Sequence, residues 1–187
     1  MTNPVQFTAK GDDGRSGLLG QGRYSKAGLR FEVLGSLDEC SAIIGVAKSL
    51  IAYGKVKDIL TQVQRDLYHI MGEVSILPGQ KAVIAPMTPE YVTRLEEYIY
   101  SLNDEVKLPE GFILPGDTVQ QALLDLARTV IRRAERRLVP LYEAGELENS
   151  VIRQYINRLS SLMYQLEISV NYWMGREQAT LAKKEES

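Results

Sequence analysis

From Phe31 to Trp173 the apolar residues of this chain recur at intervals of three and four, and only glycine and proline interrupt the rhythm. That period lines one stripe of a helix, whereas a half-buried strand needs alternation at two. The first stretch runs through Val33, Leu34, Leu37, Ile43, Ile44, Val46, Ala47 and Leu50, with Gly54 as its expected stop. A second is expected from Val56 to Ile76, broken by Pro78-Gly79. The third opens at Thr88-Pro89-Glu90, where Thr88 can cap, Pro89 suits the first helical position and Glu90 faces the positive end of the dipole. Thr118 with Gln121 resembles a capping box for a fourth helix that reaches Ala144 before Gly145. Pro140 is expected to kink it, because it offers no amide to the carbonyl of Arg136. A fifth runs from Asn149 to Trp173. The expectation is an all-α five-helix bundle with short connections, no convincing strand and an ordered glycine-rich N-terminal loop.

With 187 residues, 44% of them hydrophobic, the chain suits one core better than two. We read a single domain over residues 1–187, with a loop over 1–28, a bundle over 30–175 and a frayed tail over 178–187. A net charge of −2 and a pI near 5.6 argue against nucleic acid and anionic membranes as partners. Any anion site must therefore be local. Cys40 is the only cysteine and His69 the only histidine, which excludes an intrachain disulfide and a multi-histidine metal centre. No apolar run reaches the roughly 20 residues of a membrane span, and Met1 to Lys10 lacks the basic-then-apolar order of a secretory signal. A cytoplasmic location is expected. Cys40, His69, Trp173, Tyr98 and Tyr100 are read as packing residues.

Two segments bear chemistry. Residues Ala127 to Arg137 carry five arginines and a glutamate inside one expected helix. Arg128, Arg132, Glu135 and Arg136 share an arc, while Ala127, Val130, Ile131, Ala134, Leu138 and Leu141 lie largely on another. Converging guanidinium forks suit a polyphosphate. A merely solvated charged face fits the same spacing, and a nucleic-acid helix is a lesser rival. The other segment, Thr8 to Gly17, offers closely spaced amides, hydroxyls and carboxylates that can wrap phosphate, with an aspartate to position Mg²⁺ or its waters. It lacks the ending of a Walker loop, and a flexible leader accounts for its composition as well. Between the third and fourth helices, Phe112-Ile113-Leu114-Pro115 is an apolar loop that must pack on something or bind something.

Read together, these segments resemble the PduO-type ATP:cob(I)alamin adenosyltransferases across most of the chain. Thr8 to Ser16 is similar to the family's T-K-x-G-D-x-G-x-T opening, and Lys26 falls at its following lysine. Gly35 to Cys40, Val63 to Tyr68 with Gly72-Glu73, Phe112 to Gly116, Ala127 to Arg136 and Tyr155 to Ser160 complete the ordered series. The resemblance implies transfer of the adenosyl group of ATP to the cobalt of reduced cobalamin. It assigns Thr8, Ala9, Lys10, Gly11, Asp12, Gly14, Ser16, Gly17, Lys26, Arg132, Arg133, Glu135, Arg136 and Asn157 to the ATP pocket. Arg128, Arg132, Asp38 and Phe112 become the catalytic set, with Phe112 on the corrinoid side. The resemblance also implies Mg²⁺ carried by the ATP phosphates and a homotrimer whose sites lie between subunits, Asp38 pairing with Arg128 across the junction. A reductase and a B12-dependent enzyme are implied as partners.

Some positions depart from the pattern. Ala9 stands where lysine is usual, Asp117 where a second glycine is, Ser41 for asparagine, Ser161 for aspartate and Ile168 for arginine. These departures leave open a weakened member that binds ATP or corrinoid as a carrier or sensor.

Overall fold

The computed structural model describes residues 9–81, 83–176 and 178–183. Its helices are α1 Leu29–Leu50, α2 Gly54–Val74, α3 Pro89–Glu105, α4 Val119–Glu143 and α5 Ser150–Trp173. The all-α bundle forms as expected. Val33, Leu37, Cys40, Ile44 and Ala47 of α1 join Ala127, Val130, Ile131, Ala134 and Leu138 of α4 in one buried core. Helix α1 packs between α2 and α4, and α5 packs between α4 and α3. Helix α5 is buried on more than one side: from Leu162 to Asn171 only Tyr164 is not buried. That placement draws Gln165, Glu167, Ser169 and Asn171 inside along with the apolar residues.

A polar knot ties α2, α3 and α5 together. The Asp66 carboxylate, only 2% exposed, accepts from Arg94 at 2.8 and 2.7 Å, from the Tyr155 hydroxyl at 2.8 Å and from Gln62 at 2.9 Å. A buried charge is tolerated only with this degree of satisfaction. Arg30, also buried, does a similar job at the bundle's end, donating to the carbonyls of Val74 at 2.5 Å and Glu146 at 2.8 Å.

Several local expectations are corrected. Gly54 does not stop α1: Ile51 ends it in extended backbone, and Gly54 opens α2. Thr88 sits at the start of α3 without capping a backbone amide; its side chain instead helps hold the Glu90 carboxyl below its ordinary range. Thr118 does cap α4, accepting from the Gln121 amide at 3.2 Å, but Gln121 reaches past it to the amides of Gly116 and Asp117. Helix α4 continues through Pro140 to Glu143, so the proline falls in the last turn, where few bonds remain to be lost. Gly145 then adopts φ 67° and closes the helix, with Glu146 donating back to Leu141. Tyr98 packs against the core as expected, but Tyr100 is 68% exposed.

The N-terminal segment holds a small antiparallel pairing, β1 Arg15–Ser16 with β2 Tyr24–Ser25, where no strand was expected. Of the tail expected to fray over 178–187, residues 180–182 are bonded, and 184–187 lie outside the described residues. Leu114 donates to the Thr180 carbonyl and Ala182 to the Phe112 carbonyl, both at 2.7 Å, so residues 180–182 run as a strap along the apolar loop. The reason is Asp117, whose carboxylate takes the Thr180 hydroxyl at 2.7 Å and its amide at 2.9 Å.

Candidate active site

The N-terminal loop is preformed by its own polar groups. Arg23 grips the Asp13 carboxylate at 2.8 and 2.7 Å, while the Arg15 amide donates to the same group at 3.0 Å. Arg23 first, and the Arg15 amide second, hold the Asp13 carboxyl below its ordinary range. Lys26 donates to the Gly11 carbonyl at 2.8 Å. A side chain at Gly11 would come within 2.9 Å of the Lys26 Nζ, so the lysine lies flat across a bare backbone. Ala9 has φ 55°, a left-handed conformation uncommon for a residue with a Cβ. Of the two adjacent aspartates, Asp13 is committed to Arg23, whereas Asp12 is exposed and takes no side-chain bond among the described residues. Ser16 is half-buried at the strand pair, and Gly14 turns at φ 74°. Thr8 lies outside the described residues.

The arginines of α4 divide between two faces. Arg133 pairs with Glu39, and Arg137 with Glu32 at 3.1 Å, so both serve the packing of α4 on α1. Within one chain Arg133 is thus directed to α1, apart from Arg132 and Arg136. Arg132 and Arg136 are exposed and form no ion pair among the described residues. Glu135 accepts from Asn157 of α5 at 2.9 Å, which joins those two expected residues in one cluster. Arg128 is held within its own chain by Asp125, at 2.8 and 2.7 Å.

Arg128 and Arg132 share a cleft of about 670 Å³ with Phe112, Ser161, Tyr164 and Glu167. Phe112 is 89% exposed at its mouth. An apolar ring held out on a strapped loop is unspent binding surface. Two acids, Asp125 and Glu167, also line the cleft; sequence reasoning missed Glu167, although a charge within Leu166-Glu167-Ile168-Ser169-Val170 was the available signal. Its residue is 1% exposed, and its Oε2 has no hydrogen-bond partner among the described residues. Burial first, then the nearby Asp125, push its carboxyl up to about 8 against the pull of Arg128.

Among the described residues, no hydrogen bond or ion pair joins residues 9–28 to Arg128, Arg132 or Arg136. The loop is anchored where Leu19 donates to Ser75 beyond α2, beside Arg30 and Glu146. From Arg132 to the end of α4 is roughly 16 Å at 1.5 Å per residue. Asp38 is exposed on α1 and makes no ion pair among the described residues.

Guanidinium groups beside an exposed aromatic ring define a helical bundle that can hold an anion against a flat apolar partner. Comparison with known proteins narrows that class. The family model for cobalamin adenosyltransferase matches residues 6–170, and the chain belongs to that family. It is 36% identical over 173 residues to the corrinoid adenosyltransferase of Bacillus subtilis, covering 90% of this chain and 88% of that protein. It is 35% identical over 181 residues to the cobalamin adenosyltransferase of Cupriavidus metallidurans, covering 96% and 95% respectively. Among solved structures, it resembles a variant of a PduO-type ATP:corrinoid adenosyltransferase from Lactobacillus reuteri complexed with cobalamin and ATP. The TM-score there is 0.85 at 27% identity, over 95% of this chain and 99% of that one.

Proposed function

We propose that the chain transfers the 5′-deoxyadenosyl group of ATP to the cobalt of cob(I)alamin, releasing adenosylcobalamin and triphosphate. The observation that carries this reading is the meeting of Arg128, Arg132 and the exposed Phe112 in one cleft. Cobalt supplies an electron pair to C5′, a cobalt–carbon bond forms, and the C5′–O bond breaks with its electrons leaving on the triphosphate. So strong a nucleophile needs no protein base, only an electrophilic carbon held in line. Arg132 and Arg136, which pair with no carboxylate among the described residues, would meet the charge that grows on the leaving phosphates. Phe112 would cover the corrinoid face.

The loop that would wrap the phosphates makes no hydrogen bond or ion pair to these arginines in its own chain among the described residues, which supports a homotrimer with sites completed by a neighbouring copy. Asp38 would then meet Arg128 across the junction. For Mg²⁺ the fit is through the phosphates: among the described residues no three His, Cys, Asp or Glu side chains stand together to hold an ion. Asp12 is the loop carboxylate available to its waters. The ion would neutralise phosphate charge. No helix among the described residues is long and apolar enough to cross a membrane, in keeping with action in the cytoplasm beside a reductase and a B12-dependent acceptor.

Incubation with ATP, Mg²⁺ and chemically reduced cobalamin should give a photolabile product with the spectrum of adenosylcobalamin. No product at high protein concentration overturns the assignment. A mass of three chains in solution is expected, and a monomer would overturn the shared site.

A further inference from the structure

Glu167 is the one acid that reaches the cleft from the buried interior of α5. It is 1% exposed, yet it lines the cleft beside Arg128 and Tyr164, and its Oε2 lacks any partner among the described residues. A buried polar atom left unpaired is destabilising, and a bound ligand can remove that cost. Arg128, the cation that acts on Glu167, is paired with Asp125, and no ion pair joins it to Glu167 among the described residues.

We propose that Glu167 is a specificity-determining residue that binds a primary carboxamide on the rim of the corrin ring, so that the site takes amidated corrinoids in preference to those bearing free carboxylates there.

This inference rests on the adenosyl-transfer reading above. Cobalamin carries acetamide and propionamide arms around its ring, each with a carbonyl and an NH₂ group side by side. A protonated carboxyl matches that pair: its O–H donates to the amide carbonyl while its C=O accepts from the NH₂. Glu167 keeps its proton at neutral pH, because burial and Asp125 outweigh Arg128. A carboxylate in place of the amide would put a second anion beside Asp125 and offer no N–H to Glu167. A site built to hydrogen-bond one group rejects the analogue that lacks it. Of the two arginines in the cleft, Arg128 is paired with Asp125 and Arg132 is assigned to the triphosphate, so neither is left over for such a carboxylate.

The test uses the full chain with ATP bound, titrated spectroscopically with cob(II)alamin and with the separate monocarboxylic acids made by hydrolysing one peripheral propionamide. Wild type should bind cob(II)alamin at least tenfold more tightly than one of these acids. Glu167→Gln, which keeps the shape and both hydrogen-bonding functions, should hold cob(II)alamin within about threefold of wild type. Glu167→Ala should weaken it about tenfold and level the amide-to-acid ratio, with ATP affinity unchanged. If Glu167→Ala keeps both the affinity and the ratio while wild type still makes adenosylcobalamin, the inference fails alone. If wild type makes none, the function reading fails first. Should Glu167→Ala fold poorly, Glu167→Leu is read in its place, and retained discrimination there overturns the proposal.

Discussion

Asp117→Ala should detach the C-terminal strap from the apolar loop without loosening the bundle. In the native chain the Asp117 carboxylate accepts from the Thr180 hydroxyl at 2.7 Å and the Thr180 amide at 2.9 Å, with Asn171 more distant at 3.5 Å. Hydrogen bonds to a charged group are worth roughly 1.5–3 kcal/mol each, and exposure of Thr180 argues for the low end. Allowing for solvent screening of the pair, a loss of about 2 kcal/mol is expected, or roughly thirtyfold more frequent opening. Hydrogen exchange reads this directly, because the Leu114 and Ala182 amides bond only across the strap, each at 2.7 Å. Both should exchange about thirtyfold faster, while core amides such as that of Leu162 keep their rate. The pH dependence has a definite sign. The Thr180 hydroxyl first, then its amide, hold the Asp117 carboxyl below its ordinary 3.8. Its contribution is therefore complete above pH 3.8 and is lost as pH falls through the lower folded value. Wild type should lose strap protection on acidification, and Asp117→Ala should not. Unchanged Leu114 and Ala182 exchange in the variant, or faster exchange throughout the bundle, would refute the strap as a separate unit.

Arg132→Ala and Asp12→Ala should each cut turnover by about a hundredfold. Because both side chains are exposed, thermal midpoints should stay within about 2 °C of wild type by calorimetry; matched losses of activity and stability would count against their assignment to the site. Glu167→Gln should stabilise the chain progressively as pH rises from 5 to 9, measured by urea unfolding at fixed protein concentration. The folded carboxyl sits at about 8, above its ordinary 4.5, so the native state keeps a proton that the unfolded chain has released. Wild-type stability then falls across that window and the glutamine variant escapes the fall, by on the order of 2–4 kcal/mol at pH 9; a difference flat with pH would reject the buried acid. Asp66→Ala should cost about 3–5 kcal/mol by leaving Arg94 and Tyr155 without their shared acceptor. A loss below about 1 kcal/mol in chemical unfolding would show that the knot is not a source of stability.

The helices and the face of the arginines were legible because both follow a local period. A residue on α4 is committed to core or surface by its angle from Ala127 and Ile131, and those residues are buried as their spacing requires. Where that local logic stopped, the outcome was set by partners far away in the chain. Glycine at 54 looked like a stop, but Ile51 had already turned extended, so the glycine was free to begin α2. Arg133 and Arg137 lie one position round the helix from Arg132 and Arg136, on the side where they meet Glu39 and Glu32 of α1, and a window of one helix cannot contain that neighbour.

The departures from the family pattern follow the same rule and give it a functional consequence. Asp117 breaks a glycine-rich turn, and from local sequence it reads as a weakening. In the fold it fastens Thr180, and through the Leu114 and Phe112 backbone it steadies the loop that presents the exposed ring. Ser161 and Glu167 act likewise on the opposite wall: the position that usually bears an acid is neutral, and an acid stands further along α5 in the same cleft. Moving a carboxyl from the surface of a helix to its buried side changes it from an anion into a hydrogen-bond donor at neutral pH. The proposed corrinoid face of this site therefore depends on contacts between segments far apart in the chain, and selectivity among corrinoids should vary between relatives that differ at positions 117, 161 and 167.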